Sequence, residues 1–236
     1  MRILLIEPPS LTPMGNLRVL GSSGTLKTDM CWPPLDLMII DGCLEKNGIA
    51  SSIFDANATQ ASFEDLRRLI SLKSPHMVVF STSTCTINND LRVAEIAKEV
   101  SRDILTVAFG THLMALPEET IKRCPDLDVA IYNEPELVVL DLANAEGDPS
   151  QVLGIYCRKG DEILRNSPHE PCKNRDELGF PSHDKVPVHF YHDPNTRRHP
   201  ISMTLAQQGC INYCKYCICP HFYGRLNKSI RKLSSF

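Results

Sequence analysis

The chain has 236 residues, a formal charge of −3, and 42% apolar against 22% charged residues, an ordinary balance for a globular protein able to bury a core without staples. That balance excludes a nucleic-acid or membrane-surface partner recruited by bulk positive charge, and no apolar run reaches 18 residues. The start, Met1-Arg-Ile-Leu-Leu-Ile-Glu7, is too short and too soon charged to be a signal peptide, so the ten cysteines are expected to be reduced thiols in the cytoplasm.

Residues 1–146 alternate strand and helix signals. Arg2–Ile6 is a short apolar run stopped by Glu7-Pro8-Pro9, the pattern of a buried strand. Ser10 to Trp32 is long, polar and glycine-containing, which in a compact domain marks a functional loop. Pro34 to Asn47 predicts a helix, with proline near its start and Asn47-Gly48 at its end. Strands are predicted at 51–55, 76–80, 105–109 and 127–131, and helices at 62–71, 87–100, 117–123 and 136–144. Five such units predict a parallel, doubly wound sheet covered by helices on both faces. A ligand of such a sheet sits beyond the carboxyl ends of the strands, which here means the loops Glu7–Gly15, Ser81–Cys85, Gly110–His112 and Asn133–Glu136. No G-x-G-x-x-G follows any strand, so a nucleotide reading lacks its phosphate turn. Ser81-Thr82-Ser83-Thr84 offers hydroxyls and backbone amides to a polar ligand tail instead.

Gln151 to Arg165 reads as a hairpin turning at Lys159-Gly160-Asp161. Residues 167–200 concentrate proline and histidine, including Pro168, Pro171, Pro181, His183, His189 and His192. That composition predicts a solvated linker, and the histidine spacings are too irregular for a metal site. Six cysteines, at 31, 43, 85, 124, 157 and 172, share no ligand spacing and read as small core residues.

After a β-prone run at Ile201, Met203 and Leu205, the segment Gly209-Cys210-Ile-Asn-Tyr-Cys214-Lys-Tyr216-Cys217 places three cysteines in C-x3-C-x2-C spacing. Three thiolates on one short loop can hold an iron–sulfur cluster while leaving one iron open to a further ligand. Three other readings stay open at this point. The cysteines could form a buried helical stripe, although Gly209, Asn212 and Pro220 suit a loop better. Zinc could be held with Cys219 or His221 as a fourth ligand, and Cys214-Lys-Tyr-Cys217 alone could be a redox pair.

The cysteine loop, with Tyr216 before its third cysteine, resembles the signature of radical S-adenosylmethionine (radical SAM) enzymes. The resemblance implies a [4Fe–4S] cluster on Cys210, Cys214 and Cys217, with SAM chelated at the open iron and Tyr216 offering backbone contacts to its adenine. The stretches Trp32-Pro-Pro-Leu-Asp36, Phe54-Asp-Ala56, Ser81–Thr84, Phe109-Gly-Thr-His-Leu-Met-Ala-Leu-Pro-Glu-Glu119 and Asn133-Glu-Pro-Glu136 resemble the cobalamin-binding domain that precedes many such cores. The implied fold is a Rossmann-like, doubly wound parallel sheet over 1–146, a hairpin and linker over 147–200, and from 201 the start of a partial (β/α) barrel, here truncated. The implied cobalamin contacts are Ser81, Thr82, Ser83, Thr84, Gly110, Thr111, His112 and Glu134. The loop after the first strand has no histidine of the D-x-H-x-x-G kind, so cobalamin is expected base-off, without a protein ligand to cobalt.

By the same resemblance the chain is the N-terminal part of a B12-dependent radical SAM enzyme, a methyltransferase or a cyclase, acting on an unknown substrate. An external reductant of flavodoxin or ferredoxin type would feed the cluster, and the truncated chain alone is expected to be inactive. Two rival readings are a non-catalytic cobalamin or small-ligand module with a vestigial cysteine motif, and a zinc-stabilised interaction protein.

Overall fold

A computed structural model of the chain describes residues 1–18, 24–25, 30–146, 148–205, 207–208, 214–216 and 231–232. Strand β1 (Ile3–Glu7) is followed by a small antiparallel pair, β2 (Asn16–Leu17) and β3 (Gly24–Thr25), and by helix α1 (Leu35–Lys46). Then come β4 (Ser51–Asp55), α2 (Phe63–Lys73), β5 (Met77–Thr82), α3 (Ile87–Asp90), α4 (Arg92–Val100) and β6 (Leu105–Gly110). They are followed by α5 (Thr111–Ala115), α6 (Pro117–Arg123), β7 (Val129–Ile131) and α7 (Pro135–Asn144). A hairpin of β8 (Ile155–Lys159) and β9 (Glu162–Arg165) comes next, and β10 (Gln207–Gln208) pairs antiparallel with β11 (Arg231–Lys232).

Seven strands form one sheet in the order β4-β1-β5-β6-β7-β8-β9, the first five parallel and the hairpin antiparallel. Alternate residues of the parallel strands feed two cores. Leu4, Ile6, Val78, Phe80 and Ala108 pack against Leu66 and Ile70 of α2, Val93 of α4, Leu113 of α5 and Ile121 of α6. Ile3, Leu5, Met77, Val79, Val107 and Phe109 pack against Leu37, Ile40 and Leu44 of α1 and Val138 and Leu142 of α7. Burial on both faces explains why these strands read as unbroken apolar runs rather than alternating ones.

The hairpin joins this sheet through β8, so the sheet runs past residue 146, where the sequence suggested a boundary. The predicted helix over 87–100 is broken at Leu91 into α3 and α4, and α5 is a short helix that no periodicity announces. The 201–205 run has no strand pairing among the described residues, although Met203 and Leu205 pack beside Leu35, Ile39 and Leu178.

Residues 172–193 correct the expectation of a solvated linker. Cys172, Arg175, Leu178, Val186 and Tyr191 are buried, and the segment crosses α1 with its backbone in contact. Single apolar residues set among prolines insert one at a time, with neither strand nor helix period, so composition alone hides the packing. Covered by the sheet, α7 and this strap, α1 is apolar nearly all round, as a helix without a free face must be. Its buried Asp41 is met by the Ser51 hydroxyl at 2.6 Å and by Lys185 Nζ at 2.7 Å. Among the described residues no helix is long and apolar enough to cross a membrane.

Candidate cofactor site at the carboxyl edge of the sheet

The parallel strands lie in the order second, first, third, fourth, fifth, so chain direction along the sheet reverses between β1 and β5. The crevice for a ligand opens there, outside the carboxyl ends of those strands. The residues that close it are Glu7 at the end of β1, Asp55 at the end of β4, Ser81 and Thr82 of β5, and Gly110 of β6.

Under the crevice lies a buried ionic cluster. Arg18 Nη1 is 2.8 Å from Glu7 Oε1, and Nη2 is 2.8 Å from Asp90 Oδ1 on α3. The Arg18 side chain is fully buried and also donates to the Pro9 carbonyl at 3.2 Å. The Ser81 hydroxyl donates to Glu7 Oε2, and the Thr86 hydroxyl donates to Asp90 Oδ2. Burial pushes the Glu7 carboxyl up, and Arg18 opposes that shift; Arg18 itself stays charged because Asp90 and Glu7 outweigh its own burial. The loop after β1 is thereby pinned to the sheet edge. Asn16 reinforces it, its N–H donating to Asn57 Oδ1 at 2.8 Å and its Oδ1 accepting from the Ser10 hydroxyl at 2.8 Å.

Two further acids line the edge. Asp55 stands opposite Glu7 on the neighbouring parallel strand and is pushed up to about 7, first by burial and then by Glu7. It accepts from the Ala58 N–H at 2.8 Å and from the Tyr191 hydroxyl at 2.9 Å. Asp36, half-buried in the first turn of α1, is raised to about 7 by burial, then by Glu136 and Glu7 nearby. Glu136, in the first turn of α7, meets Arg175 of the strap at 3.2 Å, and burial raises its carboxyl while Arg175 opposes. Arg175 is 3% exposed, and its Nη1 has no hydrogen-bond partner among the described residues.

The sequence-predicted contacts gather at this same edge but differ in what they present. Ser81, Thr82 and Ser83 are buried, with hydroxyls engaged inside: Ser81 to Glu7, Thr82 to the Phe109 carbonyl at 2.8 Å, Ser83 with Thr86 at 2.8 Å. Thr84 faces outward and pairs with His112 Nδ1 at 3.3 Å. Gly110 has φ +131, and a Cβ there would lie 2.1 Å from the Thr82 carbonyl oxygen, so only glycine lets β6 end this close to β5. Thr111 is buried, while His112 and Glu134 are half-buried. Burial lowers the His112 imidazole, and His112 joins Ile87, Leu91, Leu116, Glu119 and Arg123 around a cleft of about 180 Å³.

Arg18, Asp90 and Arg175 lie in no stretch singled out from sequence, and Glu7, Asp36, Asp55 and Glu136 stand there only inside longer loops and motifs, with no role of their own. A usable signal existed for one of them: Glu7 is an acid ending an otherwise wholly apolar, buried strand, a place where a charge is retained only for a purpose. Of the cysteine loop, Cys210 and Cys217 lie outside the described residues, and Cys214 and Tyr216 are exposed. Cys85, expected in the core, is exposed as well. Among the described residues no group of three or more histidines, cysteines or acids is placed to hold a metal ion.

What the carboxyl edge offers a ligand is loop backbone and a few polar groups. The backbone loops of four strands converge there, and the orphaned Arg175 Nη1 is a buried donor that an acceptor on a ligand could satisfy.

Comparison with known proteins agrees. The family described as "B12 binding domain" matches residues 22–143. A curated relative, "Uncharacterized methyltransferase PH0819" of Pyrococcus horikoshii, is 29% identical over 92% of this chain and 45% of its own length. "Anaerobic magnesium-protoporphyrin IX monomethyl ester cyclase" of Rubrivivax gelatinosus is 26% identical over 92% of this chain and 38% of its own. The chain thus spans less than half of the curated relatives it matches. In fold it resembles the cobalamin-dependent S-adenosylmethionine radical enzyme OxsB, with TM-score 0.75 and 16% identity over 99% of this chain and 30% of that one. The radical S-adenosylmethionine methyltransferase TsrM from Kitasatospora setae, solved with cobalamin and a [4Fe-4S] cluster, gives 0.64 and 14% over 99% of this chain and 43% of that one. The chain belongs to the B12 binding domain family.

Proposed function

We propose that this chain binds cobalamin base-off across the carboxyl edge of its sheet and is the cofactor-holding part of a B12-dependent radical SAM enzyme. The observation that carries the reading is the strand reversal between β1 and β5, lined by the loops after β1, β5, β6 and β7, in a chain that matches the B12-binding family over 22–143. Gly110, Thr111, Thr84, His112 and Glu134 would meet the cofactor along the ends of β5, β6 and β7, with Ser81, Thr82 and Ser83 supporting the loop from beneath. Arg175 would donate to a polar group at its rim.

Cobalamin supplies a transferable methyl group or an electron-rich metal centre; the reaction class supported by the relatives' printed names is methyl transfer or cyclisation. Cys210, Cys214 and Cys217 would hold a [4Fe–4S] cluster with SAM at its open iron, and Tyr216 would offer its backbone to the adenine. The residues of the edge would bind, orient and exclude water; no protein ligand to cobalt is expected, because the loop after β1 carries no histidine of the D-x-H-x-x-G kind. An external low-potential reductant and a small-molecule substrate complete the reading.

Added hydroxocobalamin should convert to a base-off absorption spectrum on mixing with the chain. His112→Ala should leave that spectrum nearly unchanged. A change of axial-ligand type in the variant would assign His112 to cobalt, and the absence of any uptake would favour a different ligand for the edge.

A further inference from the structure

We propose that Tyr191 is a positioning residue that holds residues 201–205, which lead toward the cysteine segment in sequence, beside the carboxyl edge of the sheet. The significance of that placement rests on the reading above, in which the cysteines carry a cluster that works next to cobalamin. The contacts themselves do not depend on it.

Tyr191 is 1% exposed and is the largest side chain fully buried among the described residues. One side chain and one carbonyl of this residue serve two separate parts of the molecule. The phenol donates to Asp55 Oδ2 at 2.9 Å, at the very end of β4 and directly across from Glu7. The carbonyl accepts the Ile201 N–H at 3.1 Å, at the start of the run that leads to Cys210. Between them the chain doubles back. Asp193 Oδ1 accepts the Asn195 N–H at 2.8 Å, and its carbonyl accepts the Thr196 N–H at 2.9 Å, a turn that returns residue 201 to residue 191.

The neighbouring residues fasten the same point to the loop before α1. His192 and Cys31 exchange both backbone hydrogen bonds, at 2.8 and 2.9 Å, and the Trp32 indole N–H donates to Asp193 Oδ2 at 2.9 Å. Beyond Ile201, Met203 and Leu205 lie against the Leu35, Ile39 and Leu178 group. The phenol thus ties this junction to the sheet edge by a hydrogen bond, beside the apolar packing of Ile201 and Ile53 of β4 on the same cluster. Two cofactors that exchange electrons or groups need their spacing held to a fraction of an ångström, and a residue wedged between the elements that carry them supplies that constraint.

The test uses the full 236-residue chain. Tyr191→Phe keeps the ring and removes the donor; Asp55→Ala removes the acceptor; Asp55→Asn keeps a polar partner for the phenol. Amide exchange is followed by mass spectrometry, and Trp32, the single tryptophan, gives a fluorescence signal from inside the junction. Tyr191→Phe and Asp55→Ala should each speed exchange over 201–205 by about tenfold, as loss of a buried hydrogen bond that leaves its partner unsatisfied implies. The double variant should be no faster than either single one, Asp55→Asn should stay within about twofold of the native chain, and Trp32 emission should shift to the red in Tyr191→Phe.

Unchanged exchange over 201–205 in Tyr191→Phe would overturn the proposal. So would equal acceleration in β1, β5 and β6, which would make Tyr191 an ordinary core residue. Failure of the native chain to take up hydroxocobalamin would count against the cobalamin reading alone and leave the exchange result to decide the role of Tyr191.

Discussion

Gly42→Ala gives a sign test of the strap. Gly42 lies in the interior of α1, where replacing glycine by alanine ordinarily stabilises a helix by about 0.5–1 kcal/mol. Here a Cβ would lie 1.9 Å from the Phe180 carbonyl oxygen and 2.9 Å from its carbon. Those are backbone atoms, and they cannot swing aside. Gly179 holds φ +81, Lys46 Nζ bonds the Asp176 carbonyl at 2.6 Å, and the Ser182 N–H bonds the Met38 carbonyl at 3.2 Å, so the strap is fixed on both sides of Phe180. Overpacking of this kind costs about 1–3 kcal/mol, which exceeds the helix gain. A net loss of roughly 1–1.5 kcal/mol lowers the melting temperature of a chain this size by roughly 2–6 °C, measured by calorimetry or circular dichroism. Phe180→Ala, at a side chain 81% exposed, is the control and should change stability by less than about 0.5 kcal/mol. A melting temperature raised by Gly42→Ala would show that residues 172–193 do not press on α1.

Arg18→Met should destabilise the fold by about 3–5 kcal/mol near neutral pH, because it leaves Glu7 and Asp90 buried and uncompensated; denaturant unfolding at pH 5 should show a smaller loss as Glu7, whose carboxyl burial already pushes up, takes up a proton. Asp55 has a carboxyl raised from the ordinary range to about 7, so its contribution to stability is full below about pH 4 and is lost as the pH rises through 7. Stability should therefore fall by roughly 1–1.5 kcal/mol from this group between pH 6 and 8, and Asp55→Asn should flatten that part of the profile; an equally steep profile in the variant would assign the slope elsewhere. Anaerobic reconstitution should give iron and sulfide that Cys210→Ala abolishes and Cys219→Ala does not, and equal loss in both would indicate a closed four-ligand site.

The parallel core was legible because strands buried on both faces are apolar throughout, as at Leu4–Ile6, Met77–Phe80 and Val107–Phe109, and because Pro34, Pro117 and Pro135 mark helix starts. The carboxyl edge as the candidate position comes from the same pattern, since five β-α units put their ligand-facing loops there. Its chemistry was harder to see. Arg18 and Asp90 stand 72 residues apart in the chain, and nothing local to either announces an ion pair. The hydroxyls of Ser81, Thr82 and Ser83 look like ligand contacts in sequence, but their donors are used inside the protein. The strap was misread for a physical reason: Leu178, Val186 and Tyr191 are anchored by backbone contacts and single insertions, to which periodicity is blind.

Hydrogen exchange with and without hydroxocobalamin tests the cobalamin reading most directly, because it reports where on the molecule the ligand lies. Bound cobalamin should protect the segments 8–18, 81–86, 110–116 and 133–137 at the carboxyl edge, and leave the opposite edge, near 47–51 and 73–77, unchanged. Protection confined to the opposite edge, or none anywhere with cobalamin in excess, would contradict the assignment of this sheet to cobalamin.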